Sequence, residues 1–583
     1  MKGDGILKKL LCYLKPYTKE SILSPLFKLL EALFDLLVPI VVKKIMDDAI
    51  PAGDTAAIWK LCGVLVLFAL VGLLCSITAQ YFAARAAVGF GTNLRGALFR
   101  KIGGYSYGQT DRAGTSTLIT RMTADVNQLQ TATNHTLRLL LRSPIIVIGS
   151  AIFAFTINAR GAIVFVVVIP LLAAVVFSIM LGGVPLYRKV QKGLDRVTSL
   201  TRENLTGVRV IRAFRKETEE TKRFDKANRA HTAMQNTVGR IAALMNPLTL
   251  LIIDAGIIAL LYSGAIQVNS GSMTKGDVFA LTNYMSQILV ELVKLANTII
   301  MINKGFAGAA RIEAVLEEPT GMPVDASLPA PANAAGTAVA FDRVGLTYSE
   351  GADPSLTDIS FTAAPGETIG IIGSTGSGKT SVVNLIARFY DATAGTVAVD
   401  GVNVRARAPE QLRAEIGIVP QKAVLFRGTV RSNLLWGRSD ATDDELWAAL
   451  EQAQAKSFVE EKEGGLDAPV SQNGRNFSGG QRQRLTIARA LVRKPSILIL
   501  DDSSSALDYA TDAALRAAIR NLDYHPTVFL ISQRTASLSH ADKILVLDDG
   551  LQVGFGTHEE LLQTCSVYRE IYDSQYRKED ADA

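Results

Sequence analysis

Two hydrophobic patterns divide the chain. Up to about residue 305, apolar residues run on for twenty positions at a time; beyond residue 340 they come in short, strand-length bursts between charged helical stretches. A helix needs roughly 20 apolar residues to cross a bilayer. Six segments reach that length, near residues 22–44, 60–82, 138–157, 162–186, 242–267 and 278–302. The second, from Leu61 on, and the fourth, from Ala162 on, carry no charge. The first contains Lys28, Glu31 and Asp35, and the sixth contains Glu291 and Lys294. Positions 28, 31 and 35 share one helical face, which leaves the remaining surface for lipid. These charges, together with Arg138, Arg142 and Asp254, either contact substrate in a cavity or pair with neighbouring helices; both readings fit the spacing.

The connections after spans one, three and five are short (DDAIPAGDTAA, NARG, VNSGSMTKGD). Those after spans two and four run to dozens of residues rich in Lys and Arg. The positive-inside tendency therefore puts the long loops and both termini in the cytoplasm of a multi-pass protein of the plasma (inner) membrane. Residues 1–18 mix lysines with apolar residues but lack a long apolar core or a cleavage site, which predicts a retained amphipathic helix on the membrane surface. The predicted domains are this helix, an all-α membrane domain of six transmembrane helices over 19–315, a Pro- and Ala-rich linker over 316–337, and an α/β domain over 338–583.

Composition changes the picture little. A length of 583 residues implies several domains, and the mean hydropathy of +0.23 averages two unlike halves. The net charge of +6 follows the segments flanking apolar runs, so it marks membrane orientation and implies no nucleic acid partner. Cys12, Cys62, Cys75 and Cys565 are scattered, without zinc or redox spacing.

The chemistry lies in the last third. GETIGIIGSTGSGKTSVVNLIARFY is a strand, a glycine loop and a helix, and Gly373, Gly378, Lys379 and Thr380 fit the phosphate-loop pattern. Its glycines turn backbone N–H groups of Ser374, Thr375, Gly376, Ser377 and Ser381 toward a phosphate. Lys379 adds a point charge and Thr380 a magnesium ligand. ATP and Mg2+ are the expected cofactors. Further on, ILILDD delivers Asp501 and Asp502 to the tip of an aliphatic strand.

FSGGQRQRLTIARAL from Phe477 resembles the signature motif of ABC transporters, and the six preceding spans resemble the membrane domain of ABC exporters. That resemblance implies further roles. Tyr348 matches the aromatic that stacks on adenine, and Gln421 the glutamine near magnesium and the attacking water. Ser478, Gly479, Gly480 and Gln481 match the signature that serves the partner's ATP, and Ser505, Ala506, Leu507 and Asp508 the loop that crosses to the other subunit. Asp501 matches the magnesium-holding acid. GTSTLITRMTADV and LTGVRVIRAFRKE resemble the cytoplasmic loops whose short coupling helices dock on the ATPase domains.

Two positions depart from the family pattern. Asp502 stands where a glutamate normally orients the attacking water, and Gln533 where a histidine normally contacts the γ-phosphate. An aspartate is one methylene short, and phosphoryl transfer depends on positioning. The resemblance therefore implies half of a heterodimeric exporter of amphipathic small molecules (drug-like, lipid or peptide), with a degenerate ATP site. Its partner would be a second ABC chain bearing the usual glutamate and histidine. An importer of siderophore-like cargo and an ATP-gated regulatory or channel-like protein are the alternatives.

Overall fold

The computed structural model describes residues 9–349, 351–503 and 506–579. The chain forms two compact units, one of Met1–Gly103 with Gly114–Pro319 and one of Gly104–Ala113 with Thr320–Ala583.

Among its described residues the first unit is built of helices and turns, without strands. Among the described residues, five helices are long and apolar enough to cross a membrane: Thr55–Gly103, Thr115–Ile157, Ala159–Thr206, Glu217–Asn269 and Lys275–Glu317. The sixth expected span corresponds to Thr18–Lys44, which at 27 residues has the length but carries more than two charged residues in every 18-residue stretch. Of the helix expected over 1–18, residues 1–8 lie outside the described residues. Residues 9–11 are helical, a turn follows, and Lys15–Tyr17 with Pro16 forms a separate 3-10 turn. Leu10 is buried beside Phe90, Leu94 and Ile312, so this segment packs against helices.

Thr18–Lys44 is held to its neighbours by charge. Lys28 Nζ donates to Glu31 at 2.5 Å and to Ser76 Oγ at 3.2 Å. Arg142 donates to Asp35 at 2.8 Å and also to Glu291. Ser143 Oγ and Lys294 Nζ donate to the same Glu291 at 2.7 and 2.9 Å. Three cations thus meet three carboxylates across Thr18–Lys44, Thr115–Ile157 and Lys275–Glu317, and only Asp35 among the acids keeps a half-exposed side chain, at 47%. A second knot binds buried Asp125 to Arg121 and Arg311. Near it, a Cβ on Gly305 would lie 2.3 Å from that of Ala132, so the two helices approach at a distance only glycine permits.

The second unit is built on a 10-stranded sheet. Its parallel core runs, in spatial order, Ile416–Val419, Ile497–Asp501, Thr527–Ile531, Thr368–Gly373 and Lys543–Asp548. The two strands Ile497–Asp501 and Thr527–Ile531 are buried at every position, which is why they read as unbroken aliphatic runs. Leu551–Gly556 turns back antiparallel, and Val339–Leu346, Leu356–Ala363 and Ala394–Val399 form an antiparallel flank. The expected linker is tied to this unit: Asp325 N donates to Arg405 O at 3.0 Å and Arg388 Nη2 to Pro323 O at 2.6 Å.

Removing Arg142 leaves three carboxylates with two cations in a poorly solvated place. Arg142→Ala should therefore cost about 3–5 kcal/mol of stability. Asp254→Asn, at an exposed position on Glu217–Asn269, should change it by less than about 0.5 kcal/mol. Thermal unfolding of the two variants in detergent checks this, and equal effects would show that the network does not hold the helices.

Candidate functional site

The phosphate loop joins the strand Thr368–Gly373 to the helix Lys379–Ile386. Gly376 and Gly378 have φ of 89° and 94°, and a Cβ on Gly378 would meet Ser355 O at 2.8 Å. Both conformation and space therefore require glycine there. Lys379 Nζ folds back and donates to Gly373 O at 2.9 Å and Ser374 O at 2.6 Å. Burial pulls its ammonium below the usual lysine range, against the pull of Asp502 and Asp501. The Ser377 hydroxyl is buried without a hydrogen-bond partner.

Thr380 Oγ1 donates to Asp501 at 3.0 Å. Burial raises the Asp501 carboxyl above its ordinary range, and the neighbouring Asp502 adds to this while Thr380 and Lys379 oppose it. An ammonium, a helix N-terminus and an orphaned buried hydroxyl around a glycine turn fit the polyphosphate of ATP. Thr380 and Asp501 fit Mg2+. No group of three or more His, Cys, Asp or Glu side chains suited to a metal occurs among the described residues, so phosphate oxygens and water would complete its shell, as Mg2+ prefers.

Asp502 follows directly, with φ of 44°, and its N–H donates to Ile531 O at 3.1 Å. Asp tolerates this left-handed conformation better than most residues. Exposed Gln421 brings its amide nitrogen to 3.4 Å from Asp502 Oδ2. Gln533 lies just beyond the strand Thr527–Ile531 with its side chain exposed, and its carbonyl accepts from Gln575 Nε2 at 2.7 Å. Asp501, Asp502, Gln421, Lys379 and Thr380 thus form one group, with Gln533 on the adjacent strand end.

Ser478 caps the helix Gly479–Leu491: its Oγ accepts from Gln481 N at 3.2 Å while Gln481 Oε1 accepts from Ser478 N at 3.0 Å. A Cβ on Gly480 would meet Ala506 O at 3.0 Å, so the signature turn packs against the loop carrying Ala506 and Leu507. Asp508 caps the next helix by accepting from Thr511 N at 2.8 Å. Ser505 lies outside the described residues.

Tyr348 donates to, or accepts from, Ser381 Oγ at 2.8 Å. Its ring meets Tyr390 edge-on at 4.8 Å. Tyr390 in turn donates to Asp111, and Tyr107 stacks on Phe389 at 4.3 Å. The helix that belongs to this unit is therefore Tyr107–Ala113, which precedes the stretch beginning at Gly114 singled out in the sequence. Sequence reasoning missed Tyr390 and Phe389, although both lie in the quoted run ending ARFY. The other expected short helix is Val208–Ala213. Its flank leaves Val210 60% and Phe214 72% exposed.

The candidate substrate residues separate. Lys28, Glu31, Asp35 and Glu291 belong to the ion network. Arg138 bonds Asn134 at 3.4 Å, and Asp254 lies exposed on its helix. A groove of about 460 Å³ between Thr18–Lys44 and Thr55–Gly103 is lined by Glu31, Asp35, Phe34, Phe68 and Ser76 among others.

Residues 21–292 match the ABC transporter transmembrane region, and residues 356–505 match the ABC transporter family. An uncharacterized ABC transporter ATP-binding protein of Mycobacterium tuberculosis is 39% identical over 566 residues, covering 97% of each chain. An ATP-dependent lipid A-core flippase of Chromobacterium violaceum is 30% identical over 585 residues, covering 99% of this chain and 98% of the flippase. A bacterial Atm1-family ABC exporter with ATP bound shares the fold with a TM-score of 0.78 at 24% identity, over 96% of this chain and 98% of that one.

Thr380→Ala and Asp501→Asn should each remove the Mg2+-dependent increment of nucleotide binding by the purified chain, on the order of tenfold or more. Binding in the presence of a chelator should stay within about twofold of wild type, because Lys379 and the loop remain. Titration with a fluorescent ATP analogue, with and without Mg2+, measures both.

Proposed function

The chain belongs to the ABC transporter family, with a membrane domain and an ATP-binding domain in one exporter-type polypeptide, and on that premise we propose that it is one half of a heterodimeric exporter. In this reading it binds ATP and hydrolyses it poorly, while its signature completes a working site on a second ABC chain. That chain carries the glutamate and the histidine absent here. The cargo is an amphipathic small molecule, drug-like, lipid or peptide, and Thr18–Lys44 is the sixth span, its charges neutralised by the network around Arg142. Both termini face the cytoplasm.

The observation that carries the reading is the fixed backbone of Asp502. Its N–H is tied to Ile531 O, so the strand end is not free to slide toward a nucleotide and make up for the missing methylene. The residue that would orient water is then too short where positioning dominates the rate. ATP binding remains in place through Lys379, Thr380 and Asp501.

The chain's own residues divide the work as follows. Lys379 and the loop N–H groups hold phosphates, Thr380 and Asp501 hold Mg2+, and Tyr348 offers its ring to the base. Bound Mg2+ would neutralise phosphate charge. The segment Gly104–Ala113, flanked by Gly103 and Gly114 of the helical unit, belongs to the second unit, where Tyr107 stacks on Phe389 and Tyr390 meets Tyr348. Exposed Val210 and Phe214, and the stacked exposed pair Phe426 and Trp436, are apolar surfaces that a second chain would cover. The relationship to a lipid A-core flippase favours a lipid-like amphiphile, and the acids and phenyl rings of the groove beside Asp35 suit one with a cationic group.

Expressed alone, the chain should show little ATPase activity, since every site that it can form contains Asp502 and Gln533. Robust turnover by a verified homodimer would remove the degenerate-site reading. In the complex copurified from native membranes, Ser478→Arg should abolish most hydrolysis, on the order of 10² to 10³ in rate, whereas Asp502→Asn should change it little. Asp502→Glu with Gln533→His should raise turnover or trapped-nucleotide stoichiometry. Steady-state ATPase and nucleotide trapping measure these effects, and an Asp502→Asn complex as silent as Ser478→Arg would overturn the proposal.

A further inference from the structure

The four-residue helix Thr535–Leu538 begins without a cap of its own. Arg534, at its N-cap position, makes no side-chain capping bond, and a helix start needs acceptors for its first N–H groups. The acceptor comes from forty residues away. Gln575, on the C-terminal helix Ser566–Glu579, accepts with Oε1 from both Thr535 N and Thr535 Oγ1, each at 2.9 Å. The other end of the same amide donates from Nε2 to Gln533 O at 2.7 Å.

One side chain therefore holds both flanks of Arg534. The remaining supports are local or lateral. Ser532 N donates to Ile371 O at 3.3 Å, and Ser532 Oγ accepts from Arg534 N at 3.0 Å. The Arg534 guanidinium lies over the ring of Tyr509 at 4.9 Å. Tyr509 opens the helix that follows the Asp508 loop. Without Gln575 nothing described would hold the Gln533 carbonyl, and the N–H of Thr535 would lose its acceptor.

We propose that Gln575 is a positioning residue: by clamping the backbone on both sides of Arg534 it sets the reach of Gln533, and so makes the C-terminal helix part of the chain's discrimination between ATP and ADP. This rests on the reading of Gln533 as the position facing the γ-phosphate. Gln575 touches no reacting atom and acts through Gln533. Its amide is suited to the task because one end must accept and the other donate; a carboxylate would keep the bond to Thr535 and repel the Gln533 carbonyl.

The purified full-length chain carries the test, by hydrogen exchange across residues 532–538 and by the affinities of a non-hydrolysable ATP analogue and of ADP with Mg2+. Gln575→Ala should speed exchange in that segment by about fivefold to tenfold and weaken the analogue by about threefold to tenfold, leaving ADP unchanged, as the loss of net hydrogen bonds implies. Gln575→Glu should keep the exchange near wild type yet still lose the preference for the analogue. Ser574→Ala, on an exposed neighbour whose hydroxyl donates to Ile571 O, should do neither. Unchanged exchange in Gln575→Ala overturns the clamp. Faster exchange with an unchanged analogue-to-ADP ratio reduces Gln575 to a fold contact, and a Ser574→Ala that reproduces Gln575→Ala does the same; both overturn the proposal. A wild-type chain that binds neither nucleotide overturns the function proposed above, and the exchange measurement still decides the clamp.

Discussion

Three parallel strands in register set the geometry on which everything chemical depends. Ile531 lies opposite both Asp501 and Ile371, so the phosphate loop, the paired acids and the segment bearing Gln533 all leave the sheet at the same edge. None of these groups is positioned by its own loop alone. Thr380 reaches Asp501 because two strand ends are level, and Asp502 is fixed because its N–H finds the neighbouring strand. A one-residue slip would turn every buried aliphatic of Ile497–Asp501 to the opposite face, which is why so small a constellation is held by so large an apolar core.

The membrane half follows another logic. Its helices meet through charges and close approaches of small residues, since lipid gives apolar side chains no reason to prefer one another. Arg142 serves three acids, and Asp47 accepts from Gly276 N at 2.8 Å, tying the end of the first helix to the start of the last. Five-residue π-turns at Arg121–Asp125 and Thr136–Leu140 lie next to the sites of pairing, where an extra residue re-aims the side chains around it.

What the sequence disclosed follows from how local each signal is. The phosphate loop, the signature cap and the aliphatic strand ending in Asp501 are contiguous, so pattern alone found them. The charges at 28, 31, 35 and 291 were legible as a polar face but not as a network, because Arg142 meets Asp35 and Glu291 across 107 and 149 positions of chain. Tyr107–Ala113, just before the stretch beginning at Gly114, carried no signal in the sequence, since its attachment is an aromatic contact to Phe389 with no periodicity of its own. Gln575 left no trace at all: an amide on a polar helix looks like any solvated side chain until its partners are seen.

The balance of the intramembrane cluster has an electrical consequence. Moving one elementary charge through the membrane potential involves about 2.3 kcal/mol per 100 mV, and the portion of the cluster on Thr18–Lys44 is one positive against two negative charges. That helix sliding by itself would do work against the field. Joined to Arg142, Glu291 and Lys294 the set sums to zero, so the three helices moving as a block carry no gating charge from these residues.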